Sequence, residues 1–129
     1  MHMPDHRVLL IVEDEERMAE LLRSAFVKEG FVVTHMSSGK EGLNEALLSH
    51  PSAILLDIML PQMDGLEVLS KLRQDGWGKN VPVVMLTNLT PDNKILENIS
   101  ENEPSYYLVK VNSTIEDIVG KVKAAIEKQ

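Results

Sequence analysis

The sequence predicts a three-layer α/β domain in which five strands alternate with five helices around one parallel sheet, a (βα)5 chain. Three observations carry that prediction. Short apolar runs at 8–12, 31–33, 53–56, 83–86 and 106–109 are mostly continuous rather than alternating, the pattern of strands covered on both faces. Between them lie amphipathic stretches with apolar residues three and four apart. The 129 residues, 43% hydrophobic and 26% charged, are enough for one real core and have the proportions of a folded chain.

Each element follows in order. After the first run, Met18, Leu21, Leu22, Ala25 and Phe26 form a helical stripe that Gly30 stops. Glu15 and Glu16 suit the start of that helix, where acidic side chains meet the positive end of the dipole. Ser38 with Glu41 reads as a capping box opening a helix through Leu43, Ala46 and Leu47. Asp64 with Glu67 is a variant of the same box, and Met63 with Val68 can staple it. Thr90-Pro91 offers an N-cap followed by a first-turn proline. Ser113 with Glu116 opens the last helix, whose stripe is Ile115, Ile118, Val119, Val122 and Ile126.

Right-handed crossovers and chain size favour a doubly wound sheet. Periodicity does not fix the strand order, but 2-1-3-4-5 is one of the common solutions. No repeat, low-complexity tract or Pro/Gly/Ser linker divides the chain. One domain over 7–127 is therefore expected, with 1–6 a flexible N-terminus or cloning remnant.

The net charge of −7 argues against direct nucleic-acid binding and against an anionic membrane surface. With no cysteine, disulfides, thiol catalysis and zinc–thiolate sites are excluded. No apolar stretch approaches membrane-spanning length, and MHMPDHR lacks a signal-peptide core, so a cytoplasmic location is the default.

Open parallel sheets bind ligands outside the carboxyl ends of their strands. The first strand exits into Glu13-Asp14, the third into Asp57, the fourth into Thr87 and the fifth into Lys110. The second exits through Thr34 and His35 with nothing charged. In the order 2-1-3-4-5 the four polar exits belong to neighbouring strands and meet in one crevice. Three carboxylates there repel one another unless a cation joins them. Lys110 supplies one charge, and the remaining surplus suits a hard divalent ion such as Mg²⁺. An aspartate beside such a metal is a competent nucleophile for phosphoryl transfer.

The pieces LLIVEDEE, LLDIMLPQMDG, VVMLTN and YYLVK, in that order and at similar spacing, closely resemble the receiver domain of two-component response regulators. The resemblance runs over about residues 7 to 127. It implies a flavodoxin-like fold and makes Asp57 the phosphoacceptor. It makes Asp14 a direct Mg²⁺ ligand, Glu13 an acidic partner acting directly or through water, and the Met59 backbone carbonyl a further ligand; Mn²⁺ can substitute. Thr87 becomes the switch hydroxyl, Lys110 and the Asn88 backbone the phosphate-binding groups, and Tyr107 the aromatic that moves with Thr87. Pro61 and Gly65 match the loop after the phosphorylation site.

The implied protein is a phosphoacceptor signalling domain rather than an enzyme with its own substrate. Its implied partners are a histidine kinase or histidine phosphotransfer protein. The fourth helix, fifth strand and fifth helix would form its output face and the surface through which two copies could pair. Three departures fall near that face. Val111 stands where proline is usual, so a trans peptide and a reshaped loop are expected there. Asn88 replaces a small residue, and SENEPS at 100–105 replaces a small-residue turn. Two other readings stay open: a pseudo-receiver that only binds partners, and a small Mg²⁺-dependent phosphatase. The latter wants an Asp-x-Asp at the first strand exit, which Glu13-Asp14-Glu15 does not supply.

Overall fold

The computed structural model describes residues 7–128, so the expectation for 1–6 lies outside the described residues. The elements run β1 (Val8–Val12), α1 (Glu16–Lys28), β2 (Val32–Met36), α2 (Gly39–Ser49), β3 (Ala53–Leu56) and α3 (Gly65–Arg73). Then come β4 (Val83–Thr87), α4 (Asn93–Asn102), β5 (Tyr106–Val109), a 3-10 turn (Lys110–Asn112) and α5 (Ile115–Glu127). The five strands form one parallel sheet in the order β2-β1-β3-β4-β5, as expected.

Alternation along the strands sends side chains to opposite faces. Leu10, Val12, Ile54, Leu56, Val83 and Met85 pack under α2, α3 and α4, against Leu43, Ala46, Leu69, Leu72 and Ile95. Leu9, Ile11, Leu55, Val84 and Leu86 pack under α1 and α5, against Leu22, Phe26, Ile118 and Val122. Apart from half-buried Val8, the three central strands are buried throughout, which is why they read as unbroken apolar runs.

The second strand is displaced from its expected span. Phe31 belongs to the end of α1 instead: its amide donates to Phe26 O, and the Gly30 amide donates to Val27 O, both at 3.0 Å. This is a Schellman closure, made possible by Gly30 at φ 92° and reinforced by the edge-on Phe26–Phe31 contact at 5.3 Å. Pairing then starts at Val32 and continues through Thr34, His35 and Met36 beside Leu10, Ile11 and Val12. An edge strand tolerates those polar residues, so a search for apolar runs stops too early.

Two helix starts also shift. Asp92, rather than Thr90, caps α4, its Oδ1 accepting from the Ile95 amide at 2.9 Å. Pro91 consequently lies outside the helix. Thr114, rather than Ser113, caps α5, in a reciprocal box with Asp117 at 3.0 Å each way. Ser113 is spent elsewhere, its Oγ donating to Val109 O at 2.9 Å across the 3-10 turn. Ser38 and Asp64 cap as expected, accepting from the Glu41 and Glu67 amides at 3.1 and 2.9 Å. The Glu41 carboxylate accepts from the Ser38 hydroxyl at 3.1 Å. SENEPS is only partly a turn, because Ser100, Glu101 and Asn102 finish α4 and Glu103 caps it at φ 39°. The Lys110–Val111 peptide is trans, as expected, and Lys110–Asn112 form a 3-10 turn.

Two glycines set the loop that follows β3. A Cβ on Gly65 would sit 2.0 Å from the Asp57 carbonyl oxygen, and one on Gly39 1.7 Å from Met63 O. The starts of α2 and α3 thus press directly against the backbone of residues 57–63. Gly65→Ala should force that backbone aside and cost roughly 1–3 kcal/mol, as overpacking does. Urea denaturation monitored by circular dichroism measures it; an unchanged midpoint would contradict the close approach.

Candidate functional site

The crevice is assembled from strand ends. The Glu13 amide donates to Met36 O at 3.0 Å and the Asp57 amide to Val12 O at 3.1 Å, so both residues leave the sheet side by side. Thr87 closes β4 and Lys110 follows β5 directly. Glu13, Asp57 and Thr87 are buried, at 3%, 6% and 0% exposure. Asp14 is exposed.

Lys110 joins the acids. Its Nζ lies 2.6 Å from Glu13 Oε1 and 3.0 Å from Asp57 Oδ2. The second oxygen of each carboxylate takes a backbone amide: Glu13 Oε2 accepts from Glu15 at 3.0 Å and Asp57 Oδ1 from Met59 at 3.3 Å. Burial pushes the Glu13 carboxyl above its ordinary range, and the charge of Asp57 adds to that. Bonds from Lys110 and the Glu15 amide, with the lysine's charge, pull it part of the way back. For Lys110, burial alone would lower the pKa. The bonds to Glu13 and Asp57 and their charges outweigh it and leave the ammonium above its ordinary value of 10.5.

Ligand oxygens of Glu13, Asp14 and Asp57 all lie within 4.8 Å of one another. An all-oxygen acidic set fits a hard cation such as Mg²⁺ or Mn²⁺ rather than a thiophilic metal. Each oxygen of Glu13 and of Asp57 already has one donor, so a cation would use their remaining lone pairs together with those of exposed Asp14. The cleft over them has a volume of about 570 Å³ and is lined also by Met59, Thr87, Asn88 and Lys110. Seven of the eight expected residues therefore share one cleft.

Tyr107 stands apart from that lining. Its hydroxyl donates to Leu89 O at 2.8 Å, while the Leu89 amide donates to Thr87 Oγ1 at 3.4 Å. Leu89 thus links the two expected switch residues through its backbone. Burial, with the nearby charges of Asp92 and then Asp57, pushes the Tyr107 phenol upward. His35 was not singled out as a site residue in the sequence. Its Nε2 lies 2.7 Å from Glu13 O, a carbonyl that can only accept, so the ring donates and steadies the acidic corner. The strand register that brings it there is invisible to motif spacing.

The family model described as the response regulator receiver domain matches residues 9–123. The chain is a member of the response regulator receiver domain family. The receiver domain is 37% identical over 120 residues to the "Transcriptional regulatory protein SrrA" of Staphylococcus aureus (strain NCTC 8325 / PS 47). That match covers 93% of this chain but 48% of the relative, so the chain spans about half the length of the curated relatives it matches. A putative response regulator from Chloroflexus aurantiacus J-10-fl superimposes with a TM-score of 0.84 at 29% identity, covering 95% of this chain and 99% of that one. A CheY-like receiver domain protein from Methanospirillum hungatei JF-1 shares the fold at a TM-score of 0.88 and 22% identity, covering 96% of each chain. Among the described residues of the receiver domain, no helix is long and apolar enough to cross a membrane.

Lys110→Met would leave two buried carboxylates without their cation. In EDTA-containing buffer near neutral pH the variant should lose about 3–5 kcal/mol of unfolding free energy, the scale of a buried pair stripped of one partner. Because the fold raises the lysine's pKa, its contribution is complete below about pH 10.5 and fades as pH rises through the raised value. As pH is raised, the gap between wild type and variant should therefore close only in strongly alkaline denaturation series. A gap that closes nearer pH 7 would contradict this.

Proposed function

We propose that residues 7–127 form a phosphorylation-controlled signalling receiver with Asp57 as phosphoacceptor. The observation that carries this is the buried Asp57 carboxylate, within ligand distance of Glu13 and Asp14 and bonded to Lys110 Nζ at 3.0 Å. The donor is a phosphohistidine on a histidine kinase or histidine phosphotransfer protein. An Asp57 oxygen attacks phosphorus, the P–N bond breaks, and the histidine leaves as its neutral imidazole with a proton taken from solvent. Mg²⁺, held by Asp14, Asp57, the Met59 carbonyl and Glu13 directly or through water, would neutralise charge on the phosphoryl oxygens when bound.

The chain's own groups do the rest. Lys110 is already bonded to Asp57 and needs only a small shift to reach a phosphoryl oxygen. The new group adds about −1.5 to −2 charges at the cleft. Thr87 and the Asn88 amide are drawn towards it, loosening the Leu89 amide from Thr87 Oγ1 and freeing Tyr107. That shifts an existing equilibrium at the face of α4, β5 and α5 towards the state that binds an output domain or a second copy. A cytoplasmic location and the absence of direct nucleic-acid binding by this domain belong to the same reading. A transcriptional output, in keeping with the relative's name as a transcriptional regulatory protein, is one form that the output could take.

Acetyl phosphate with Mg²⁺ should add one phosphoryl group to the wild type by intact mass and none to Asp57→Ala. EDTA should abolish the uptake, and Asp14→Asn should weaken Mg²⁺ binding at least about tenfold by titration. A wild type that neither accepts phosphate nor binds beryllofluoride sinks the proposal and leaves a partner-binding pseudo-receiver. Met59, 61% exposed at the rim, and half-buried Leu89 flank the acyl phosphate with apolar bulk against water. Replacing both with polar residues should shorten the phosphorylated lifetime several-fold, followed by loss of the added mass. An unchanged lifetime would refute their shielding role.

A further inference from the structure

Away from the cleft, one charged side chain makes an unusual set of contacts. Arg73 ends α3 and is half-buried. Its Nε donates to Asn102 O at 2.7 Å and its Nη2 to Glu103 O at 3.1 Å, at the end of α4. Its Nη1 donates to Gly78 O at 2.7 Å and to Val81 O at 2.9 Å, in the segment joining α3 to β4. All four acceptors are backbone carbonyls. A guanidinium suits this because its donors fan out in one plane, and because the C-terminal end of a helix such as α4 carries partial negative charge.

The two sides of this clasp differ in firmness. The segment after α3 is itself fastened. Asp75 Oδ2 accepts from the Trp77 and Gly78 amides at 2.9 and 2.8 Å, and Trp77 stacks on His50 at 4.3 Å. Gly78 lies so close to α3 that a Cβ there would meet Leu72 O at 2.3 Å. By contrast α4 buries only Ile95 fully among its residues. Ahead of its N-terminus, the loop is held through Leu89, between the Tyr107 hydroxyl and Thr87, which lines the phosphorylation cleft. At its other end Glu103 sits in the left-handed region at φ 39°, directly before Pro104, a conformation that surrounding bonds must maintain.

We infer that Arg73 is the fixed pivot of α4, holding its C-terminal end to the floor of the domain while events at Asp57 move its N-terminal end. The direction of that motion rests on the proposed phosphorylation; the clasp itself does not. Arg73 is then a positioning residue for the output face, converting displacement of Thr87 and Tyr107 into a tilt of α4 rather than a loss of the whole helix. A lysine cannot replace it, since one ammonium cannot span four carbonyls on two segments.

Amide exchange read by mass spectrometry on the whole chain tests this. In the wild type, beryllofluoride with Mg²⁺ should change exchange over 89–96 and leave 99–103 as it was. In Arg73→Met without ligand, exchange over 99–103 should rise about tenfold or more, with β1 and β3 protected as before. Added beryllofluoride should then alter the whole of α4 in that variant, and Arg73→Lys should fall between. Wild-type changes spread evenly over 93–103 overturn the pivot while leaving phosphorylation intact. If the wild type does not bind beryllofluoride, the phosphorylation reading fails separately. Unchanged protection of 99–103 in ligand-free Arg73→Met overturns the pivot in either case.

Discussion

A buried ammonium shared by two buried carboxylates is the contact on which the rest of this domain depends. Glu13 and Asp57 leave adjacent strands with nothing between them, and like charges so close cannot both ionise without help. Lys110 reaches across from the far side of the sheet to touch both. Removing two carboxylates from water is costly, and the arrangement is tolerable because each of their oxygens has a donor. The fold around it answers that demand. The strand order brings β5 within reach, and the 3-10 turn directs Lys110 inward.

Firmness is distributed unevenly around this centre. Two apolar layers grip the sheet from both sides, and Gly39 and Gly65 let helix starts lie directly on the loop after Asp57. The helix α4 is attached more sparsely, through Ile95, the Leu89 linkage and the Arg73 clasp.

Much of this was legible in the residues. Continuous apolar runs mark strands covered on both faces, and polar residues closing four of them mark the cleft. What was hidden was hidden for physical reasons. The start of β2 depends on a helix closure that recruits Phe31, and its end on pairing that tolerates Thr34 and His35. The caps of α4 and α5 fell one or two residues late because Ser113 had a competing partner in Val109 and Asp92 took the cap of α4 from Thr90. Nothing in the sequence singles out Arg73, since its four acceptors are backbone carbonyls that no side-chain pattern can announce.

The separation of Lys110 from Asp57, 53 positions along the chain, also bears on synthesis. A ribosome delivers Glu13, Asp14 and Asp57 long before their lysine, so a nascent chain carries three acids and no counter-charge at the forming crevice. Only when β5 docks at the sheet edge does the last component arrive. A copy cut short before β5 therefore cannot assemble the complete contact of Lys110 with Glu13 and Asp57.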